Sequence, residues 1–533
     1  MPRKPPPPRR NSGFEYSVTR SGQTRRGDPE LSARIAVHPH RTENNIVSRR
    51  AKIVATLGPA VSTPEGIRGL LKAGVNVTRF NLSHGDHTVH SNNYQLVRQA
   101  SEDLRLPVAV LVDLQGPKIR LGRFDDGAPY ELAEGDIFRI TTEEVVGTRE
   151  LVGTTFKGLP ADVRPGDPLL IDDGRVALRA IEVDDTTVTT RVEVAGPVSN
   201  NKGINLPGVA VNVPALSEKD EDDLRWGIRT GADLIALSFV RGAEDIHRVH
   251  EIMDEEGTRL PVIAKVEKPQ AVDNLAEIVD AFDGIMVARG DLGVELPLEA
   301  VPIVQKRAIE LTRRRAKPVI VATQMLETMI SNPRPTRAEA SDCANAVLDG
   351  ADALMLSGET SVGQYPVVAV ETMARIIEST ETHGLDRIPP LGTKPFTQGG
   401  VLTLAATEVG EFLGAKYYCV FTESGDSVRR LSRLRPQIPM IGFTPRESMR
   451  RRMNVYWGVE SVLVERVTHT DEMFMQVDDY LLSSGKAKRG DKVVVVAGTP
   501  PGVPGSTNDL RVHRVGDAVD QMAPAYEGRH LRD

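Results

Sequence analysis

Cysteine, aromatic residues and long apolar runs are all scarce in this chain of 533 residues. The two cysteines, Cys343 and Cys419, stand far apart without metal-ligand spacing, which excludes a disulfide framework or zinc module and favours thiols in a reducing cytoplasm. No apolar run approaches the ~20 residues of a membrane-spanning helix, so we expect no membrane association. The formal net charge of -7 gives no reason to expect nucleic acid as a partner.

The beginning of the chain differs in composition from the rest. Residues 1–50 contain 11 Lys/Arg and 4 Asp/Glu, a local charge of +7, so the remainder carries -14. The segment opens MPRKPPPPRR, has no apolar periodicity and lacks the apolar core of a secretion signal. We predict a disordered basic tail over 1–48. It could touch RNA or an acidic partner, although a dispensable extension is the simpler interpretation.

One pattern occurs eight times between residue 50 and about residue 380: a short apolar run ends in a polar or glycine-containing cluster, and a helical stretch follows. The runs are KIVATLGP, NVTRFNLSHG, PVAVLVDLQGP, ADLIALSFV, PVIAKVE, GIMVARGDLG, PVIVATQML and ADALMLSGET. Runs rich in Val and Ile are typical of parallel strands buried on both faces. Eight strand–helix units predict an α/β fold, a (β/α)8 TIM barrel over 49–122 and 213–385.

Capping residues predict where individual helices begin and end. Thr63 followed by Pro64 indicates a helix start, and Gly74 closes that helix. Thr336 and Glu339 are typical of a capping box at the start of a later helix.

Two further units interrupt or follow the barrel pattern. More than 110 residues separate the third apolar run from the fourth, and short alternating segments over 123–212 predict an inserted all-β domain. Loops after strands lie on the active-site face of a barrel, so this domain is well placed to act as a lid. Over 390–533, the runs YYCVF, PMIGF and KVVVVAG predict a C-terminal open α/β domain.

Charged and hydroxyl side chains cluster where the strand runs end, and in a barrel these positions converge on one pocket. The set mixes carboxylates, cations and hydroxyls without a clearly poised Cys or His nucleophile: Arg79, Asn81, Ser83, Asp113, Arg120, Lys265, Glu267, Asp291, Thr323, Ser357 and Glu359. This mixture suits metal-assisted phosphoryl transfer.

Three members of this set suggest specific chemistry. Glu267 and Asp291 follow neighbouring strands and could hold one hard cation, Mg²⁺ or Mn²⁺; the alternative is a pair of exposed carboxylates. Lys265 stands in an apolar run, where an unpaired charge is costly to bury. It could stabilise a phosphoryl group in flight and a developing enolate.

Eight segments resemble signature segments of the pyruvate kinase family: VTRFNLSHG, DLQGPKIRLG, NKGINLPG, AKVEKP, VARGDLGVE, ATQMLETM, RPTRAE and MLSGET. They stand in the family's order and spacing, and the resemblance covers about residues 50–500. It implies phosphoryl transfer from phosphoenolpyruvate to ADP, giving pyruvate and ATP, by an allosteric cytoplasmic homotetramer.

The resemblance also implies a role for each matching residue. Glu267 and Asp291 would bind Mg²⁺, Lys265 would stabilise the transition state, and Arg79 would bridge the phosphates. The substrate carboxylate would meet Gly290, Asp291 and Thr323. The relay that protonates the enolate would include Thr323 with its waters, Ser357 and Glu359. The nucleotide would contact Arg120, Lys202, His84 and Asn81, with Arg120 and Lys202 at its phosphates and His84 near the adenosine.

The chain departs from the pattern of family members that need K⁺. Their K⁺ ligands match Asn81, Ser83, Asp113 and the Leu114 carbonyl, and they typically carry glutamate where this chain has Lys118. A glutamate needs a bound cation to balance it, whereas the Lys118 ammonium supplies that charge itself. We therefore expect activity without K⁺; in the alternative, Lys118 points to solvent and K⁺ still binds.

A loop in the C-terminal domain resembles the family's site for phosphorylated effectors. Backbone N–H groups and hydroxyls of Thr422, Ser424, Gly425 and Ser427 would cradle a phosphate. Glu423 and Asp426 would repel one, and 498–502 lacks the basic and tryptophan residues that grip fructose 1,6-bisphosphate in some members. We expect AMP or a hexose monophosphate in preference to the bisphosphate; the alternative is a helix cap that binds no effector.

Two other functions fit part of the pattern. One is a Mg²⁺-dependent barrel lyase or aldolase acting on an enolpyruvate or 2-oxo acid, which the nucleotide-contacting residues and MLSGET oppose. The other is a catalytically silent regulatory binder, which intact Lys265, Glu267, Asp291 and Thr323 oppose.

Overall fold

Eight parallel strands close into a barrel in chain order, as the sequence predicts. The structure, a computed structural model, describes residues 49–518 except 126–127, 173, 210–212 and 503–504, so the predicted tail over 1–48 lies outside the described residues. The barrel strands are Lys52–Thr56, Val77–Asn81, Ala109–Asp113, Leu234–Leu237, Val262–Val266, Gly284–Ala288, Val319–Ala322 and Ala353–Leu356. All eight are almost entirely buried, as expected for strands covered on both faces.

Helices surround the barrel. They are Pro64–Ala73, His87–Leu104, Glu218–Thr230, Ile246–Glu255, Pro269–Asp273, Leu275–Ala281, Arg289–Glu295, Val301–Arg314, Arg337–Asp349, Gly358–Ser361 and Pro366–Gly384. The predicted caps are present: the Thr63 side chain accepts from the Gly66 N–H, and Gly74 ends that helix with a φ of 113°. Thr336 and Glu339 form the predicted capping box. Among the described helices, none combines the length and apolar character that crossing a bilayer requires.

The segment between the third and fourth barrel strands forms β-sheets with an apolar core of their own, as predicted. A six-stranded sheet has the order Ile204–Asn205, Pro168–Ile171, Val176–Val183, Thr187–Val194, Ile137–Thr141 and Leu151–Gly153; Gly196–Val198 pairs with Tyr130–Leu132, and one short helix spans Leu159–Asp162. The apolar core of this unit is separate from that of the barrel, which is typical of an independent domain.

The C-terminal domain is an open five-stranded sheet with helices. The strand order is Val459–Leu463, Met440–Thr444, Tyr418–Phe421, Lys492–Gly498 and Thr507–Arg514, and the helices are Gln398–Leu413, Asp426–Ser432, Glu447–Arg452 and Thr470–Ser483. The last strand, TNDLRVHR, is not predicted by the sequence pattern; it runs antiparallel at the sheet edge. Its largely exposed residues carry little apolar signal.

Three aspartates lie at the floor of the barrel, and two of them also join it to the C-terminal domain. Asp233, Asp283 and Asp352 each precede a strand and accept a hydrogen bond from the backbone N–H of the neighbouring strand, at 2.9, 2.9 and 3.1 Å. Arginines of the C-terminal domain pair with two of them: Arg451 with Asp233 at 2.8 Å and Arg435 with Asp352 at 2.9 Å. The same carboxylates therefore set strand register and hold the second domain.

We expect Asp233→Asn to lower the free energy of unfolding by about 3–5 kcal/mol, because it leaves buried cations without their anion. The Asp233 side chain is 1% exposed and pairs with Arg98 as well as Arg451. Asp103→Asn is the matched control, since Asp103 pairs with Arg68 at the surface. Urea unfolding followed by circular dichroism measures both; equal unfolding midpoints would contradict the structural role of Asp233.

Candidate active site

The ends of the barrel strands bring four charged side chains into one buried cluster. Arg79 donates from Nε to Asp113 Oδ2 at 2.6 Å and from Nη1 to Thr56 Oγ1 at 3.1 Å. Lys265 Nζ lies 2.9 Å from Glu267 Oε1 and 3.4 Å from Asp113 Oδ1. Two cations and two carboxylates therefore balance inside the barrel mouth.

Lys265 is held as a cation although it is 9% exposed. Burial alone would lower the pKa of Lys265, but the carboxylates of Asp113 and Glu267 raise it well above its usual value. Its ammonium also donates to Ser238 Oγ at 2.7 Å. This arrangement fits a fixed positive charge.

Asp291 adds a further carboxylate beside this balanced cluster and so leaves it short of positive charge. Burial raises the pKa of Glu267, Lys265 opposes that shift, and the charge of Asp291 adds to it. The Phe239 N–H orients Glu267 by donating to Oε2 at 2.7 Å. A divalent cation would relieve the surplus, and carboxylate oxygens suit Mg²⁺. Among the described residues, no group of three or more His, Cys, Asp or Glu side chains could hold a metal, so substrate oxygens and water would complete its coordination.

The loop after the seventh strand holds Thr323 in a left-handed conformation, with a φ of 69°. The Gly290 N–H donates to Thr323 Oγ1 at 2.7 Å, which joins this loop to the predicted carboxylate site. Arg289 donates to the Thr323 carbonyl at 2.8 Å and pairs with Asp342 at 2.6 Å. These contacts hold a strained backbone that would otherwise relax.

Glu359 is fully buried next to the loop that follows the seventh strand. Its oxygens accept from the Leu326 N–H at 3.0 Å and the Ser357 N–H at 2.7 Å, so it joins the loops after the seventh and eighth strands. The Ser357 hydroxyl is buried and has no hydrogen-bond partner among the described residues. Of these two residues, Ser357 has the hydroxyl available for a substrate or water, whereas Glu359 positions the loops.

The predicted nucleotide contacts lie where the inserted β-domain meets the barrel. Arg120 donates to the Asn201 carbonyl at 3.0 Å, and Lys202 pairs with Asp172 at 3.0 Å. Burial lowers the pKa of His84, and the nearby charges of Arg120, Arg79 and Lys118 lower it further. A neutral imidazole beside several cations suits a site for an anionic ligand.

The residues predicted around the monovalent-cation position adjoin the charge cluster. Asn81 and Asp113 are register partners on neighbouring strands, and Asn81 Oδ1 accepts from the Ser83 N–H at 3.3 Å. The Leu114 carbonyl accepts from Ser238 at 2.7 Å. Lys118 forms no ion pair within the described part of the chain. Its side chain packs against Gly203 of the inserted β-domain, so closely that a Cβ at that position would stand 2.9 Å from the Lys118 Cε.

Three positioning residues escaped the sequence analysis: Thr56, Ser238 and Arg289. The first two follow the rule that identified the others, because Thr56 ends the first strand and Ser238 follows the fourth. Arg289 begins the segment RGDLG directly before Gly290. Neither composition nor spacing shows that these side chains contact Arg79, Lys265 and the Thr323 loop.

The predicted effector loop lines a separate cavity in the C-terminal domain, of about 610 Å³ including the space at its opening. Thr422 Oγ1 accepts from the Gly425 N–H at 2.8 Å, Ser427 bonds Thr507 at 2.6 Å, and Ser424 is exposed. The expected repulsion is weakened, because Glu423 pairs with Arg446 at 2.9 Å and Arg466 at 3.2 Å.

Asp426, the other acidic residue of that loop, is also paired. Arg430 lies 2.6 Å and Arg429 3.4 Å from its carboxylate. The two arginines that pair with Glu423 come from later segments of the chain, whereas those that pair with Asp426 follow it on the same helix.

Comparisons with known proteins agree with this geometry. The family model for pyruvate kinase, barrel domain, matches residues 48–370, and that for pyruvate kinase, alpha/beta domain, matches 401–513. Pyruvate kinase of Corynebacterium glutamicum is 55% identical over 471 residues, 88% of this chain and 98% of the relative. That of Mycobacterium tuberculosis is also 55% identical, over 88% of this chain and 99% of the relative.

A solved structure agrees as well. The crystal structure of a pyruvate kinase from Cryptosporidium parvum superposes with a TM-score of 0.82 at 32% identity, covering 89% of this chain and 98% of that one. The fold over most of this chain is thus the fold of a protein described as a pyruvate kinase. The chain belongs to the pyruvate kinase family and is a phosphotransferase.

Proposed function

We propose that the chain transfers a phosphoryl group from phosphoenolpyruvate to ADP, giving pyruvate and ATP, in the cytoplasm. The observation that carries this proposal is Lys265, a buried cation 2.9 Å from Glu267 and 3.4 Å from Asp113, with Arg79 on the other side of Asp113. Phosphoryl transfer needs fixed positive charge around a group that loses its bridging oxygen, and this cluster supplies it without a covalent intermediate.

Lys265 and Arg79 would stabilise negative charge on different groups. Arg79 would bridge the phosphoryl groups of the two substrates, and Lys265 would face the phosphoryl group as it moves and the enolate oxygen left behind. Ionic partners already hold both side chains in place, so little reorganisation is needed when charge develops.

A divalent cation belongs in this site. Glu267 and Asp291 would hold Mg²⁺ or Mn²⁺, and the ion would neutralise phosphoryl oxygens. Burial raises the pKa of Glu267, and the charge of the neighbouring Asp291 raises it further. The two carboxylates together leave a surplus of negative charge, which a bound cation would neutralise.

Protonation of the enolate would take place beside Thr323. The Gly290 N–H is held by Thr323 Oγ1, and together with Asp291 these groups would receive the substrate carboxylate. The buried Ser357 hydroxyl, which has no partner among the described residues, would continue a relay through water, while Glu359 keeps its loop in place.

The inserted domain over 123–212 would act as a lid that completes the nucleotide site. Arg120 and Lys202 would contact nucleotide phosphates, with His84 near the adenosine and Asn81 on the same side. Lys202 pairs with Asp172, a residue of its own domain, so a nucleotide phosphate would compete with Asp172 for the ammonium.

The oligomer would be a homotetramer formed through a barrel face and a C-terminal face. Large apolar side chains stand exposed on both: Leu298 is 75% and Ile303 67% exposed on the barrel, and Phe412 is 91% exposed on the C-terminal domain. Exposed apolar groups of this size are typical of subunit contacts.

The effector would be a monophosphate, AMP or a hexose monophosphate, bound by Thr422, Ser424, Gly425 and Ser427 and preferred over fructose 1,6-bisphosphate. The ion pairs of Glu423 and Asp426 make a phosphate acceptable in this cavity. The walls at 498–502 and 505–507 add glycine, proline and hydroxyl groups, which would not balance a second phosphate.

We expect Lys265→Met to lower kcat by at least about 10²-fold, because it removes the charge that stabilises the transition state. Lys52→Met is the matched control: Lys52 is equally buried, but it donates to the Val459 carbonyl at the other end of the barrel. Initial rates of pyruvate formation measure both variants. If Lys52→Met lost as much kcat as Lys265→Met, the effect would be one of folding.

The reaction and its cation requirement can be tested in one assay. With phosphoenolpyruvate, ADP and Mg²⁺, we expect pyruvate in potassium-free tetramethylammonium buffer and no turnover with excess EDTA. Lys118→Glu should need added K⁺, because the new carboxylate requires a counter-ion, whereas Lys157→Glu on the lid should not. No pyruvate with or without K⁺ would refute the reaction, and a wild type that needs K⁺ would refute the role of Lys118.

We expect AMP or a hexose monophosphate to bind more tightly than fructose 1,6-bisphosphate in calorimetric titrations. Ser424→Asp should weaken the monophosphate by about tenfold or more, because it places a carboxylate beside the phosphate. Asn92→Asp, which adds the same charge on an exposed barrel helix, should leave affinity unchanged. Tight, activating binding of the bisphosphate would contradict the preference.

A further inference from the structure

A cleft lies between the floor of the barrel and the C-terminal domain, and it shares no lining residue with the cavity at the predicted effector loop. Its volume is about 200 Å³, including the space at its opening. Five cationic side chains line it: Arg313, Lys317, Arg429, Arg433 and Arg435. Of the lining residues that the structure describes, Asp352 alone is acidic. The cleft therefore carries a surplus of positive charge.

Asp352 has little capacity left to balance that surplus. Its carboxylate already accepts from Arg435 at 2.9 Å, from the Val319 N–H at 3.1 Å and from the Trp457 N–H at 3.1 Å. These three bonds hold strand register and the C-terminal domain. Arg429 pairs with Asp426, which leaves Arg313, Lys317 and Arg433 without a carboxylate partner among the described residues.

Arg313 shows the lack of negative charge in the cleft most clearly. It is 4% exposed, yet its guanidinium donates to two neutral groups, the carbonyls of Pro389 at 3.1 Å and Arg433 at 3.3 Å. Its Nε is buried without a hydrogen-bond partner in the described part of the chain. Burial and then the charge of Arg435 lower the pKa of Arg313 to about 9, against the opposing effect of Asp352. A buried guanidinium beside a second one, with carbonyls as partners, lacks a counter-ion.

Two further groups at the cleft have hydrogen-bond donors without an acceptor among the described residues. Arg433 donates from Nη1 to the Arg314 carbonyl at 3.0 Å, and its buried Nε has no partner among the described residues. Tyr456 is 6% exposed and lines the cleft, and within the same residues its hydroxyl makes no hydrogen bond. Guanidinium forks and a hydroxyl are the donors that a tetrahedral oxyanion accepts from.

We propose that this cleft binds a free tetrahedral oxyanion of the inorganic phosphate class. The cleft is about a third the size of the cavity at the predicted effector loop, which favours a small free anion over a nucleotide or sugar phosphate. The anion would join the end of the barrel helix Val301–Arg314 to the helix Asp426–Ser432, the helix that starts at the effector loop. It would stabilise the contact between the two domains.

Selenate soaked into crystals of the full chain, grown without phosphate or sulfate, tests the site directly. We expect an anomalous selenium peak between Arg313, Arg433 and Tyr456. Peaks at the active site or the effector loop with none in this cleft would overturn the proposal.

A solution measurement tests the same site through stability. We expect sodium phosphate to raise the thermal unfolding midpoint of the wild type above that in sodium chloride of equal ionic strength. Arg433→Gln should reduce this rise by about half or more, because an anion that binds less tightly stabilises the folded state less. Arg315→Gln removes the same charge from an exposed neighbour that pairs with Asp280, and should keep the full rise.

The two variants distinguish this cleft from the other phosphate-binding places in the chain, because neither Arg433 nor Arg315 lines them. If Arg433→Gln does not fold, Tyr456→Phe, which removes one hydroxyl, gives the same comparison. An equal rise in all variants would overturn the proposal. A hexose monophosphate that acts through Arg433 as strongly as free phosphate would overturn the assignment to a free anion.

Discussion

The balance of four buried charges at the mouth of the barrel is the constraint on which the rest of the active site depends. Lys265 and Arg79 face Asp113 and Glu267 at hydrogen-bonding or ion-pair distance. Each of these charges alone would be costly in an interior of low dielectric constant, and together they neutralise one another. Because the cluster is already neutral, the additional carboxylate of Asp291 is what calls for a divalent cation. Loops and neighbouring side chains, such as the Phe239 N–H and Ser238, orient this cluster and add no charge to it.

The opposite end of the barrel uses carboxylates for a different purpose. Asp233, Asp283 and Asp352 satisfy backbone N–H groups where the strands begin, and two of them also hold arginines of the C-terminal domain. The strand Ala353–Leu356 connects the two ends: Asp352 precedes it at the floor, and Ser357 follows it at the active site. A fully buried strand between these residues is a stiff connection, so the proposed anion cleft and the proposed relay share one structural element.

The acidic residues of the effector loop show how local sequence can mislead. Glu423 and Asp426 predict repulsion of a phosphate when only the loop is considered, yet four arginines neutralise them. Arg446 and Arg466 lie 23 and 43 residues further along the chain than Glu423. The edge strand Thr507–Arg514, which places Thr507 beside Ser427, escaped prediction for a related reason: a half-exposed edge strand needs few apolar residues.

The sequence by itself determined the barrel, the β insertion and the residues at the strand ends, because eight buried parallel strands need apolar runs and a barrel gathers whatever follows them. It also determined caps such as Thr63 and Thr336, since a helix end is satisfied within a few residues of chain. Only the tertiary structure decided which charges meet. It showed that Ser238 and Thr56 hold the cationic groups, that Glu359 is taken up by backbone N–H groups, and that Arg313 is left among cations. Most of those contacts join residues tens of positions or more apart, and an ionic or hydrogen-bonded contact depends on distances of a few ångströms that no local pattern encodes.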